Sequence, residues 1–167
     1  MNQQSGIGIR WAALLTAAFV IQVAIASQID ILGVHPELML LVAIVAGLVS
    51  GPERGAGIGF AAGFLVDLTL HGTFGMSAFA FTVVGFLVGS VKEAIMRIST
   101  VMAVLITLLA SALGVLLYAT VAHLLGDHTL SDPKLSAIVT IVSVWNAVLC
   151  IPMLWLARRV EGTRAAF

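Results

Sequence analysis

The chain is short, strongly apolar and poor in charged residues. Of its 167 residues 60% are hydrophobic and 10% are charged, the formal net charge is zero, and the mean hydropathy is +1.13. Because soluble domains carry about 25% charged residues, this composition predicts an integral membrane protein and excludes a basic nucleic-acid-binding surface. No linker or low-complexity stretch interrupts the apolar segments, so we expect a single transmembrane domain over residues 1–167.

Six apolar segments separated by helix-breaking residues predict an all-α bundle of six transmembrane helices. In chain order they cover about residues 11–25, 36–50, 55–70, 74–91, 100–125 and 135–156. The second and third are shorter than the about 20 residues that cross a bilayer, so they form either a spanning hairpin or a re-entrant one. The run before Ala24-Ile25-Ala26 resembles a signal peptide, but its length and the many spans after it favour an uncleaved first helix.

The distribution of basic residues predicts the orientation of the chain. With a cytoplasmic N-terminus, the inner segments hold seven of the eight basic residues: Arg10, Arg54, Lys92, Arg97, Arg158, Arg159 and Arg164. Only Lys134 then falls outside. Because Lys and Arg near membrane segments are retained on the cytoplasmic side, we expect both termini in the cytoplasm.

A stripe of small residues ends in an acid on the third segment. Gly55, Gly59, Gly63 and Asp67 follow one another at steps of four residues, and each such step turns a helix by only about 40°. Small residues at this spacing let membrane helices approach closely, and an embedded acid usually faces protein. We therefore expect a buried packing face, with Asp67 hydrogen-bonded to a neighbouring helix, for which Asn146 is a candidate partner, rather than binding an ion or ligand.

Polar residues near the outer end of the same segment suggest a ligand site. Asp67 and His71 are four residues apart, a spacing that places both on one helical face and that metal sites use. The sequence contains neither a metal-binding motif such as H-E-x-x-H nor a nucleophile elbow such as G-x-S-x-G. We therefore expect no metal, no cofactor and no catalytic residues, and we retain His71 and Asn146 as ligand candidates.

Five stretches between His35 and Phe79 together resemble one known family. They are His35-Pro36-Glu37-Leu38-Met39-Leu40-Leu41, Gly51-Pro52-Glu53-Arg54-Gly55, Gly59-Phe60, Gly63-Phe64-Leu65-Val66-Asp67-Leu68 and Gly75-Met76-Ser77-Ala78-Phe79. The pattern is similar to that of the rod shape-determining protein MreD family. The resemblance implies structural or partner-binding roles at the positions that match the family pattern, namely Pro36, Glu37, Gly59, Gly63, Asp67 and Gly75. The stripe of small residues adds Gly55 to these candidates.

This resemblance implies a function in bacterial cell shape. MreD-like proteins are non-enzymatic scaffolds of the cell-elongation complex in the cytoplasmic (inner) membrane. They bind the single-pass protein MreC and work with MreB, RodA and a penicillin-binding transpeptidase to support lateral peptidoglycan synthesis. The family also resembles in fold the six-helix substrate-binding subunits of energy-coupling-factor transporters. Two alternatives therefore stay open: a vitamin-type uptake subunit with a pocket around Asp67 and His71, and an ion or proton channel that uses Asp67.

Overall fold

The described part of the chain is entirely helical. The structure, a computed structural model, describes residues 2–26, 37–69, 74–95, 98–126 and 134–162. Within these ranges it has six α-helices and no β-strand: α1 (Asn2–Ala26), α2 (Leu38–Ser50), α3 (Pro52–Thr69), α4 (Met76–Ala94), α5 (Thr100–Leu124) and α6 (Leu135–Glu161). The prediction of an all-α fold is confirmed. Helices α1 and α6 extend beyond the predicted apolar segments 11–25 and 135–156, because polar residues at the beginning of α1 and at the end of α6 are also helical.

The six helices differ in their capacity to cross a bilayer. In the described residues four are long and apolar enough to do so, namely α1, through its window Gly6–Ala24, α4, α5 and α6. At a rise of 1.5 Å per residue α2 is about 20 Å long, which is less than the about 30 Å of a hydrocarbon core. Helix α3 is longer but carries Glu53, Arg54 and Asp67. The chain is thus a membrane-embedded protein in which these two helices need protein around them.

Helix α2 lies at the centre of the bundle. All residues from Leu38 to Leu48 are buried, and α2 contacts each of the other five helices. A helix that is apolar on every side is stable only when it is surrounded. Because protein encloses α2, its short length does not expose its unpaired terminal backbone groups to lipid.

Helices α3 and α4 run antiparallel with their backbones in contact. A Cβ atom added at Gly63, Gly59 or Gly55 would collide with the carbonyl oxygens of Ser77, Phe81 and Gly85, respectively. An added Cβ atom at Gly47 of α2 would also meet the Gly85 oxygen, at 2.6 Å. The predicted stripe of small residues is therefore buried, and at these three positions of α3 only glycine fits against α4.

A face of α3 about 100° around the helix from the glycine stripe is exposed and aromatic. Phe60, Phe64 and Leu68 are all exposed, and the rings of Phe60 and Phe64 stack with their centroids 6.1 Å apart. Large apolar side chains on the outside of a bundle are suited to lipid or to another transmembrane helix. Helix α3 thus turns its glycine stripe and its acid inward and exposes these three large apolar residues.

Substitutions at neighbouring glycines of α3 should have opposite effects on stability. We expect Gly59→Ala to lower the free energy of unfolding by about 1 to 3 kcal/mol, because the methyl group forces α3 and α4 apart. Gly57→Ala should be neutral or stabilising by up to about 1 kcal/mol, because its Cβ atom meets nothing within 4 Å and alanine favours the helix. Unfolding of the purified variants in mild detergent measures both effects. Equal stability of the two variants would contradict the close approach.

Candidate functional site

The carboxylate of Asp67, at the end of α3, holds the beginning of α4. Its Oδ2 atom accepts hydrogen bonds from the backbone N–H groups of Gly75 and Ala78, at 3.0 and 3.1 Å. Its Oδ1 atom accepts one from the N–H of Ser77 at 3.1 Å. The N–H groups in the first turn of a helix have no partner within that helix. Asp67 therefore caps α4 from a different helix.

The cap places the Asp67 side chain at the N-terminal end of the α4 dipole. The N-terminal end of a helix carries a partial positive charge, which attracts an anion, and hydrogen bonds to a charged acceptor are stronger than neutral ones. Asp67 is only 5% exposed, so these donors replace the water that it loses. Gly75 precedes α4 with φ +99°, a backbone conformation that glycine adopts without strain. The two predicted residues, Asp67 and Gly75, thus meet at one turn.

The expected partnership between Asp67 and Asn146 is wrong. The amide nitrogen of Asn146 donates to the Ser111 hydroxyl at 3.0 Å, which links α6 to α5. Asn146 is fully buried, so its side chain lies inside this helix interface. The partners of Asp67 are backbone groups on α4, because α3 packs against α4 along its whole glycine-lined face and brings the acid to the start of that helix.

The other predicted residues divide between the described and the undescribed parts of the chain. Glu37 is half-buried at the position preceding α2, and Gly55, Gly59 and Gly63 lie in the α3–α4 interface. Pro36 and His71 lie outside the described residues. In the described ranges no three His, Cys, Asp or Glu side chains are grouped so that they could hold a metal ion.

A second carboxylate, Glu161, joins four helices at the other end of the bundle. Its Oε1 atom accepts hydrogen bonds from the Trp11 indole N–H at 2.8 Å and from the Ser50 hydroxyl at 2.6 Å. The Arg54 guanidinium lies 3.1 Å from its Oε2 atom. We call Trp11, Ser50, Arg54 and Glu161 the Glu161 cluster. It ties α1, α2, α3 and α6 together through one side chain that is 11% exposed.

Sequence reasoning missed the Glu161 cluster and the α4 side of the glycine interface. Gly85 and Gly89 are four residues apart on α4, and added Cβ atoms there would collide with the backbone at Gly55 and Pro52. This spacing is the same signal that identified the stripe on α3, so the sequence contained it. The Glu161 cluster has no such local pattern, because its members come from four separate helices.

An open groove runs between α1 and α3 beside the Glu161 cluster. It has a volume of about 570 Å³, and its walls include Gly8 and Ala12 of α1 and Gly57 and Ala61 of α3. Trp11, Glu53 and Arg54 also line it. In the described structure this groove combines an apolar floor with charged residues at one end.

Removing the Asp67 cap should destabilise the protein. We expect Asp67→Asn to lower the free energy of unfolding by about 2 kcal/mol. The asparagine side chain lacks the negative charge, and its N–H₂ group cannot accept a hydrogen bond from the backbone N–H groups that it faces. Asp67→Ala should cost more, since three N–H groups lose their acceptor. Detergent unfolding measures the change, with Glu53→Gln on the exposed start of α3 as a control that should shift stability by less than about 0.5 kcal/mol. A shift as small as that of the control would contradict the cap.

The members of the Glu161 cluster should differ in their contributions to stability. Glu161→Ala should cost about 2 to 3 kcal/mol, because it removes the acceptor from Trp11, Ser50 and Arg54 together. Arg54→Ala should cost about 1 kcal/mol or less, because this guanidinium is 43% exposed and solvent screens exposed ion pairs. The same unfolding assay compares them. A larger loss for Arg54→Ala than for Glu161→Ala would contradict the central role of the carboxylate.

Comparison with known proteins identifies the family. A family model described as "rod shape-determining protein MreD" matches residues 4–160, nearly the whole chain. A search of curated proteins and a search of solved structures found no significant match. The matched region contains all six helices almost entirely, including the Asp67 cap and the glycine interface. Since the match extends over nearly the entire sequence, this membrane-embedded chain belongs to the rod shape-determining protein MreD family and has a role in determining cell shape.

Proposed function

We propose that the protein is a non-enzymatic scaffold of the bacterial cell-elongation complex. The observation that carries this proposal is that both oxygens of Asp67 and of Glu161 are bound by groups of the protein itself. Carboxylates used in this way fix helices in place, which is a structural role. The outer surface, by contrast, carries many exposed large apolar side chains on α1, α3, α5 and α6, which suit contacts with lipid and with other membrane helices.

Six spanning helices with both termini in the cytoplasm form the topology that goes with this function. The Glu161 cluster joins the beginning of α3 to the end of α6, and Arg54, Arg158 and Arg159 lie at or near these ends. Lys134 precedes α6 at its opposite end. The positive-inside rule assigns the end with more basic residues to the cytoplasm. Helices α2 and α3 then cross the membrane as a hairpin within the protein, in the cytoplasmic membrane.

The principal partner in this proposal is an MreC-like single-pass membrane protein. In lipid, helices associate through van der Waals packing and close approach and not through the hydrophobic effect. The exposed apolar faces of the bundle provide surfaces for such packing. Through this partner the scaffold works with MreB, RodA and a penicillin-binding transpeptidase, and so supports lateral peptidoglycan synthesis.

Co-purification and depletion together test this function. We expect the protein, extracted in mild detergent, to retain the MreC-like protein of the same cell, and we expect its depletion to turn rods into round or swollen cells. Purified protein should also carry no tightly bound vitamin-like molecule, which would instead be expected of an uptake subunit. Normal rods after depletion, with no recovered MreC-like protein, would contradict the proposal.

A further inference from the structure

Helix α1 is loosely attached to the bundle and borders the open groove described above. Only 17% of its apolar window is buried, compared with 50% for α4. Its buried residues, Trp11, Leu15 and Ala18, follow one another at helical spacing and form a single narrow face. Most of the other side chains between positions 6 and 24 are exposed, so in the described structure the groove between α1 and α3 is open to the surroundings of the protein.

The glycine at position 57 has no function in the packing of the described bundle. A Cβ atom added at Gly57 or at Gly8 meets nothing within 4 Å, whereas one added at Gly55 or Gly59 on the same helix collides with α4. Gly57 and Ala61 lie one turn apart on α3, as Gly8 and Ala12 do on α1. At these four positions the walls of the groove carry only small side chains, and a helix backbone could approach them closely.

The charge at the mouth of the groove is acidic. Two charged residues line the groove, Glu53 and Arg54, and Arg54 is engaged by Glu161. Glu53 is exposed in the first turn of α3. In the topology proposed above, this end is cytoplasmic, where a single-pass helix with a cytoplasmic N-terminus carries flanking Lys or Arg residues. Its basic flank and Glu53 are complementary in charge.

We propose that the groove between α1 and α3 binds the transmembrane helix of a single-pass partner. The helix lies across the open side, with small residues against Gly57 and Ala61 and a Lys or Arg flank beside Glu53. This inference rests on the proposed function, because it locates the binding surface of the MreC-like protein.

Filling the groove tests the proposal without disturbing the fold. Gly57→Leu places a large side chain in the open space, and leucine favours a helix more than glycine does. We expect about a tenfold loss of the co-purified MreC-like protein, with an unchanged unfolding temperature. Gly6→Leu is the matched control, because Gly6 is also open but does not line the groove, and it should retain the partner. Full retention of the partner by Gly57→Leu would overturn the proposal.

Disulfide cross-linking identifies the occupant. In a Cys150→Ala background, which removes the single native cysteine, Gly57→Cys should cross-link in membranes to a cysteine in the inner half of the partner's transmembrane helix. Leu105→Cys, exposed on α5, a helix that contacts neither α1 nor α3 in the described structure, should not. A cross-link between two copies of this chain would overturn the proposal in favour of a homodimer, and no cross-link despite co-purification would overturn it by placing the partner elsewhere on the bundle. Failure of the unmodified protein to retain the partner would instead refute the proposed function, and this inference with it.

Discussion

In a bilayer, backbone polar groups must find their partners within the protein, and the Asp67 cap meets this requirement at the start of α4. The N–H groups of Gly75, Ser77 and Ala78 would otherwise have no acceptor, and the carboxylate on α3 binds all three. The glycines of α3 make this possible, because any larger residue would push α3 away from α4. The acid and the glycines on one helical stripe thus serve a single purpose.

The two carboxylates stabilise opposite ends of the bundle by different chemistry. Asp67 binds backbone groups of one neighbouring helix, and it fixes the α3–α4 pair in a single register. Glu161 binds side chains from three other helices, and it holds the peripheral α1 to the central part of the bundle. Between them lies α2, buried on every side. A bundle fixed at both ends in this way presents a constant outer surface to partners, as a scaffold requires.

The sequence predicted those features that depend on local spacing and on hydropathy. Six helices, the inward stripe of glycines and the inward acid all follow from residues within a few turns of one another. It could not identify the partner of Asp67, because that partner is backbone, which every residue possesses, and Asn146 was the wrong choice. The Glu161 cluster joins side chains up to 150 positions apart, and only the packing of four helices brings them together. The sequence also did not indicate the groove at Gly57, because this glycine lies between the buried Gly55 and Gly59 in the same G-x-G-x-G stretch.

The complete enclosure of α2 has a consequence for how the protein is made. A 13-residue helix is too short to rest stably in lipid by itself, and five other helices must surround it before its environment is complete. Four of these, α3, α4, α5 and α6, are synthesised after it. We therefore expect α2 to leave the translocon together with α3 and to reach its final position only when the C-terminal helix has emerged, so that biogenesis is post-translational in its last step.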